Sequence, residues 1–362
     1  MSDRDFVFNG VAQRVRFAAG SIDALKAEVQ QLGARRAMVL CTPEQSALAE
    51  DVATRLGELA VSVYDKAVMH VPMETARAAQ ELARRLGVDC AVAVGGGSTI
   101  GLGKAIALDS GLPIIAIPTT YAGSEMTPIF GLTEGGVKRT GKDVRVLPKT
   151  VIYDPLLTLS LPVGMSVTSA INALAHAAES LYAADGNPVM DLMAEEGIRS
   201  IARAVPLIAK DAANLSARED ALKGAWLCGA VLGNVGMALH HKLCHTLGGT
   251  FNLPHAPVHT VVLAHALAYN SAAAPEAMRR IALAMGVGEV EAKNPLAAAQ
   301  AVFDLAAHNG APTALKDIGM QRADLARARD LALQSQYPNP RPLEANAIDA
   351  LLDNAFEGRK PG

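Results

Sequence analysis

Up to about Asp154 the chain alternates short apolar runs, rich in Val and Ile, with longer stretches in which apolar residues recur every three or four positions. That is how parallel βαβ units read. Strands are predicted at Ala37–Cys41, Val61–Tyr64, Ala91–Val94, Ile114–Ile117 and Val151–Tyr153. Between them Glu44–Gly57 and Thr75–Gly87 have helical period, and each closes on a Gly able to cap a helix in the left-handed conformation. Beyond Pro155 strand signals stop. Ala- and Leu-rich helical pattern runs almost to the end, broken at Asp185–Pro188, Asn252–Pro257 and Tyr337–Pro342. The fold class expected is an α/β N-terminal domain with a doubly wound, mostly parallel sheet (residues 1–155), followed by an all-α C-terminal domain (156–362). The stretch before the first strand, with Gly10 and Gly20, is too short for a domain of its own.

Composition narrows the partners. The 362 residues are 50% hydrophobic and suffice for two packed domains. Charged residues make up 19% and the net charge is -3, which provides no basic field for nucleic acid or an anionic membrane surface. Small-molecule partners are expected. Cys41, Cys90, Cys228 and Cys244 are scattered without a CxxC pair, as in a reducing compartment. The start, Met1–Asn9, lacks the apolar core of a signal peptide, and no later apolar run reaches about 18 residues. A cytoplasmic location is expected.

Gly95, Gly96, Gly97 and Ser98 follow the strand Ala91–Val94 at once and open a helix that includes Lys104–Leu108. Glycines let the backbone approach an anion, and the unpaired N–H groups of a helix start favour a phosphate there. The turn is not a P-loop, since Ser98 and Ala105 occupy positions that motif reserves for Gly and for Ser or Thr, and it is not GxGxxG. A plain tight turn remains the alternative. Pro118–Glu125 leaves the next strand with hydroxyls at Thr119, Thr120 and Ser124. Ligands sit at the carboxyl ends of strands in a doubly wound sheet, so the two loops should share a crevice and suit a dinucleotide. Thr119 and Ser124 are equally good turn formers.

Asn172 and His176 lie four apart on one helical face, and His241 and His245 repeat the spacing. His255 follows in a Pro-His-Ala-Pro segment expected to be a stiff loop. Such a group converges on a metal ion or on a substrate that must be protonated; the bland alternative is satisfied core histidines. His265 falls outside the group and is expected to be a packing position.

Together these segments resemble the iron-containing alcohol dehydrogenase superfamily over nearly the whole chain. That superfamily carries GGGS after a strand, a PTT segment, Asp-Ala-Leu-x-His, His-xxx-His-xx-Gly and a Pro-His ten residues on. Here they stand as Gly95–Ser98, Pro118–Thr120, Asn172-Ala173-Leu174-Ala175-His176, His241–Gly248 and Pro254-His255. Its maleylacetate reductase branch is similar at Thr42–Gln45, His70–Met73, Tyr121–Thr127, His240–His245 and Tyr337–Pro342.

The resemblance implies a dehydroquinate synthase-like fold, NADH or NADPH as cofactor, a cytoplasmic homodimer, and reduction of maleylacetate to 3-oxoadipate in the breakdown of aromatic compounds. It puts the cofactor on Gly95, Gly96, Gly97 and Ser98, with Thr42, Thr119, Thr120, Ser124 and Lys149 as further contacts. The superfamily's metal set of one Asp and three His maps onto Asn172, His176, His241 and His255. Asn is neutral and does not offset a divalent charge, so the site is expected to be metal-free. Thr42 stands where an Asp would repel a 2′-phosphate, so selection against NADPH should be weak. Hydride added to a conjugated double bond leaves an enolate, which hydrogen-bond donors can hold. His241 and His245 are the leading donors, with His176 and His255 completing the wall; Lys242, Tyr121 and Arg341 are candidates for the two carboxylates of the substrate. The rivals are a metal-dependent alcohol or polyol dehydrogenase, a dehydroquinate synthase-like lyase, and a nucleotide-binding sensor that leaves the histidines idle.

Overall fold

The computed structural model describes Phe6 and residues 8–10, 12–135, 137–334 and 337–362. Met1–Asp5 and Val7, on which part of the expectation about secretion rests, lie outside them. Two compact units form: Gly10–Leu161, and Pro162–Gly362 with the described residues up to Asn9. The division falls after residue 161 rather than 155 because Asp154 stays with the sheet. Its carboxylate accepts the backbone N–H groups of Gly20 (3.0 Å), Ile22 (3.2 Å) and Leu156 (3.1 Å), which holds the 3-10 turn Pro155–Thr158 in the first unit.

The strands are β1 (Arg14–Phe17), β2 (Ala37–Leu40), β3 (Ala60–Tyr64), β4 (Cys90–Gly95), β5 (Ile114–Pro118), β6 (Ile129–Glu134), β7 (Val137–Lys142) and β8 (Thr150–Tyr153). Six make one parallel sheet in the order β1-β8-β5-β4-β2-β3, and β6 pairs with β7 as an antiparallel hairpin. Four helices belong to this unit: α1 (Leu25–Gln31), α2 (Ser46–Leu56), α3 (Met73–Arg85) and α4 (Gly97–Ser110). Alternate strand residues face opposite sides. Val39, Val92, Val94, Ile115 and Ile117 pack with Leu25 and Val29 of α1 and Val52 and Leu56 of α2. Met38, Leu40 and Ala91 pack with Ala76 and Ala79 of α3 and Leu102 and Ile106 of α4. With both faces covered, the strands need no polar alternation and read as apolar runs.

Two elements depart from the expectation. β1 is an edge strand whose residues alternate exposed and half-buried, and Arg14 is spent on Glu28 in a bidentate pair (2.7 and 3.1 Å). The hairpin's second strand is mostly polar, with Lys138, Arg139, Thr140 and Lys142; its signal in the sequence is the Gly135-Gly136 pair, and Gly135 has φ 56°.

Among the described residues the second unit contains helices and no strand: α5 (Val163–Ser180), α6 (Pro188–Lys210), α7 (Leu215–Asn234), α8 (Leu239–Phe251), α9 (His255–Asn270), α10 (Pro275–Ala284), α11 (Ala297–His308), α12 (Leu325–Gln334) and α13 (Ala345–Glu357). No single one of them is long and apolar enough to cross a membrane. α5 is its core helix, buried from Ser166 to Ser180. The break at Asp185–Pro188 is a helix start: Asn187 caps α6 by accepting the Met190 N–H (3.1 Å), and Pro188 takes the first position. α6 and α7 cross closely at glycines, for a Cβ on Gly224 would stand 2.6 Å from Ile201. His255 is not in a loop. It opens α9, and Pro257 is tolerated in the first turn, where N–H groups have no helical partner.

Lys104 of α4 is buried, and its Nζ donates to the carbonyls of Ser124 (2.7 Å), Thr127 (2.9 Å) and Ile129 (2.7 Å) and to the Thr127 hydroxyl (3.0 Å). Burial pulls its pKa down to about 7, against the opposing charge of Glu125. Lys104→Met removes the donor shared by these carbonyls, of which Ser124 keeps the Thr127 N–H, and should cost about 3 kcal/mol of unfolding free energy. Urea melts followed by circular dichroism measure it; a loss under about 1 kcal/mol would mean the carbonyls find other partners.

Candidate active site

In the first unit, loops at the carboxyl ends of three parallel strands meet. β4 ends at Gly95, Gly96 precedes α4, and no side chain caps that helix, so its first N–H groups point outward unpaired by any cap. Gly95 has φ 151°, and a Cβ there would lie 2.5 Å from Thr99 Oγ1 and 2.7 Å from Gln45 Oε1. On Gly96 a Cβ would come within 3.0 Å of Thr120. The close approach brings Gln45, from the turn after β2, to Thr119, from the loop after β5: Gln45 Nε2 donates to the Thr119 hydroxyl at 2.9 Å, and the Thr119 N–H to the Gly95 carbonyl at 3.2 Å. Gly97 is exposed and Ser98, Thr120 and Ser124 are half-buried around the turn. Thr42 leads the 3-10 turn Pro43–Gln45, and the exposed carboxylate beside it, Glu44, is held below the usual range by its own backbone N–H and by the Thr42 hydroxyl.

The second unit gathers six of the nine histidines. His176 of α5 meets His241 of α8 with ring centroids 4.9 Å apart, and His241 meets His245 one turn on at 6.4 Å. His259, one turn along α9 from His255 (4.4 Å), touches both His240 (4.9 Å) and His241 (5.1 Å). His245 and His255 are exposed, whereas His176, His240, His241 and His259 are buried, so the cluster runs from a wet rim to a dry interior. Burial, then the neighbouring imidazoles, push His240 and His259 well below the ordinary histidine range, which keeps both neutral.

A carboxylate underlies the cluster. Glu179, buried on α5, accepts His241 Nδ1–H at 2.6 Å and the backbone N–H groups of Ala238 (3.0 Å), His240 (2.8 Å) and His241 (3.3 Å). Glu179, His240 and His259 are absent from the sequence-based candidates. The signals were there: Glu179 is seven residues from Asn172 on the same helical face, and His259 is four from His255.

Three candidates stand elsewhere. Lys149 precedes β8, exposed, beside Ile114 at the opening residue of β5, so it lies at the opposite end of the sheet from Gly95 and Thr119. Tyr121 is fully buried. Arg341 stacks on Tyr269 at 4.4 Å, about 21 Å of helix beyond His255, and pairs with Glu344. Lys242 is exposed next to His241, its Nζ 5.8 Å from the Tyr337 ring centroid.

The sequence profile described as iron-containing alcohol dehydrogenase matches residues 12–155, and that of the Fe-containing alcohol dehydrogenase family, C-terminal, matches 166–356. The chain belongs to the iron-containing alcohol dehydrogenase family. It is similar to maleylacetate reductase of Burkholderia cepacia, 61% identical over 98% of this chain and 99% of that one, and to maleylacetate reductase of Pseudomonas sp. strain P51, 55% identical over 99% of each. The structure of maleylacetate reductase from Agrobacterium tumefaciens superposes with a TM-score of 0.94 at 49% identity, covering 99% of this chain and 100% of that one.

The family is iron-containing, and its ligand positions map here onto Asn172, His176, His241 and His255. His241 Nδ1 is on Glu179, and its Nε2 lies 2.8 Å from His176 Nδ1, so a metal ion on either ring would displace that contact. The carboxylate of the family's set is Asn172, whose buried Oδ1 has no hydrogen-bond partner but carries no charge. Among the described residues the ligand atoms of His240, Cys244 and His259 do lie within 4.8 Å of one another. There His240 Nε2 and His259 Nδ1 are bonded to each other at 3.0 Å, and burial pushes the Cys244 thiol well up, away from the thiolate a metal needs.

His265, buried on α9, joins none of these ring contacts, and burial lowers its pKa to about 4. The folded value lies below the unfolded one of about 6.5, so the folded state binds fewer protons and stability is lost as pH falls from about 6.5 to about 4. His265→Leu should remove up to about 3 kcal/mol of that acid dependence. Melting temperatures across the window test it, and an unchanged slope would show that His265 is solvated.

Proposed function

We propose that the chain reduces maleylacetate to 3-oxoadipate with NADH or NADPH, in the cytoplasm, as a homodimer and without a metal ion in the step. Full-length identity of 61% and 55% to proteins named for that reaction supports the substrate. The observation that carries the chemistry is the histidine cluster, which offers N–H donors where a metal site would offer a dication. In an alcohol dehydrogenase hydride reaches an isolated carbonyl, and the alkoxide formed needs a Lewis acid. In maleylacetate hydride passes from the nicotinamide to the carbon β to the ketone, the double-bond pair moves toward the carbonyl, and an enolate forms. A proton then adds to the α carbon, giving 3-oxoadipate and NAD(P)⁺. Enolate charge is spread over carbon and oxygen, and fixed donors in a dry site stabilise it.

Gly95–Ser98 and the uncapped start of α4 take the cofactor's diphosphate, with Thr119, Thr120 and Ser124 beside it. His241 and His245 hold the enolate or deliver its proton, His176 and His255 extend the wall, and Lys242 takes a carboxylate. Thr42 brings no charge against a 2′-phosphate, and exposed Glu44 is screened by water and salt. Four free, buried cysteines suit a reducing compartment.

Loss of the NADH band with freshly prepared maleylacetate tests the reading, and activity should persist in excess EDTA. Activity lost to chelation and regained with a divalent ion would install the metal-dependent alcohol dehydrogenase instead. NADPH should serve within ~1,000-fold of NADH in kcat/KM, about 4 kcal/mol; a wider gap means another group selects.

His241→Ala and His245→Ala should each lower kcat ~100-fold or more with KM little changed, as for a donor felt only in the transition state. His265→Ala should keep kcat. Turnover within a few-fold of wild type in both active-site variants would make the histidine wall structural.

A further inference from the structure

We propose that Gln45 is a positioning residue for the cofactor: from the turn after β2 it holds the Thr119 hydroxyl as a hydrogen-bond donor to the diphosphate. The inference rests on the reading that Gly95–Ser98 take that diphosphate. Gln45 closes the 3-10 turn Pro43–Gln45 and is half-buried, with its carboxamide placed on two sides. Oε1 stands over Gly95, where a Cβ would come within 2.7 Å of it, so the bare backbone of Gly95 gives the side chain its room. Nε2 donates to Thr119 Oγ1 at 2.9 Å. An amide NH2 has only protons to offer, so in this contact the hydroxyl accepts and keeps its own proton to give. Among the described residues Thr119 Oγ1 makes no second hydrogen bond. Thr119 is 4% exposed and directly follows β5, and its N–H, bonded to the Gly95 carbonyl at 3.2 Å, sets it beside the glycine turn. A nearly buried donor without an acceptor is costly, and a phosphate oxygen at the carboxyl ends of these strands supplies one through a charge-assisted bond.

Isothermal titration calorimetry with ADP reads the contact without the reaction, and titration with NADH repeats it on the whole cofactor. Thr119→Val should raise both Kd values ~10-fold and Gln45→Leu ~5-fold, as for a lost or misdirected hydrogen bond to a charged group. Thr119→Ser keeps the hydroxyl and should bind within threefold of wild type. The double variant should bind as weakly as Thr119→Val and no more weakly, because Gln45 acts through that hydroxyl. In turnover the Gln45→Leu loss should fall on the KM for NADH with kcat within twofold, whereas a general loosening of the loops would lower kcat as well. Gln45→Leu with ADP affinity within twofold of wild type overturns the proposal, as does a double variant whose losses multiply. Thr119→Val with unchanged ADP affinity overturns it even if no Gln45 variant folds. Wild-type protein that binds neither ADP nor NADH would instead refute the cofactor reading of the glycine turn, and the proposal with it.

Discussion

Glu179 meets three backbone N–H groups at the start of α8, a helix that has no side-chain cap of its own and stands at 96° to the preceding α7. A sharp bend inside a helical unit strands the donors of the new first turn, and burial makes each stranded donor costly. A carboxylate delivered from α5 satisfies them together and meets the positive end of the α8 dipole. That contact sets where α8 begins and how it is rotated. Rotation in turn decides that His240, His241 and Cys244 face inward while Lys242 and His245 face water. The rim-to-interior layout of the histidines is thus a consequence of how one bend is capped.

The first unit solves the mirror-image problem. Its loop after β5 turns the carbonyls of Ser124, Thr127 and Ile129 to one place, and Lys104 of α4 reaches under them. A buried anion gathers donors in one unit, and a buried cation gathers acceptors in the other. In both the charged group comes from a regular helix, and the backbone it holds lies beside candidate site residues: Ser124 here, His241 there. Glycine takes part only where contact forces it, at Gly95, where any Cβ would collide with Thr99 and Gln45.

The sheet was legible because strands covered on both faces read as apolar runs, and the helical unit because its Ala- and Leu-rich pattern is broken at Asp185–Pro188, where α6 starts. β1 and the β6–β7 hairpin were not, since an edge strand and an exposed ribbon are free to be polar. The histidines were legible by spacing, yet spacing says nothing about which residue answers them from another helix. Glu179 lies 62 positions from His241 in sequence and shows itself only as an acid in an otherwise alanine-rich helix. Lys149, Tyr121 and Arg341 lie away from the glycine turn and the histidine rings in this structure. Each sits in or near a family-like segment, but a segment fixes neither the end of the sheet nor the direction in which a side chain points.

The charge balance of the cluster ties these points together. His240 and His259 are neutral by burial, and Asn172 contributes an oxygen without charge, so among these groups Glu179 is the acid. A divalent ion added here would gain one carboxylate that already serves five donors, and it would displace the His176–His241 contact to obtain those ring nitrogens. A substrate that develops a delocalised negative charge asks for less. It needs N–H groups held in place before the charge appears, and rings packed against one another on three helices are restrained in that way. With Asn at position 172 and an acid at 179, the carboxylate of α5 lies at the start of α8, beside His240 and His241.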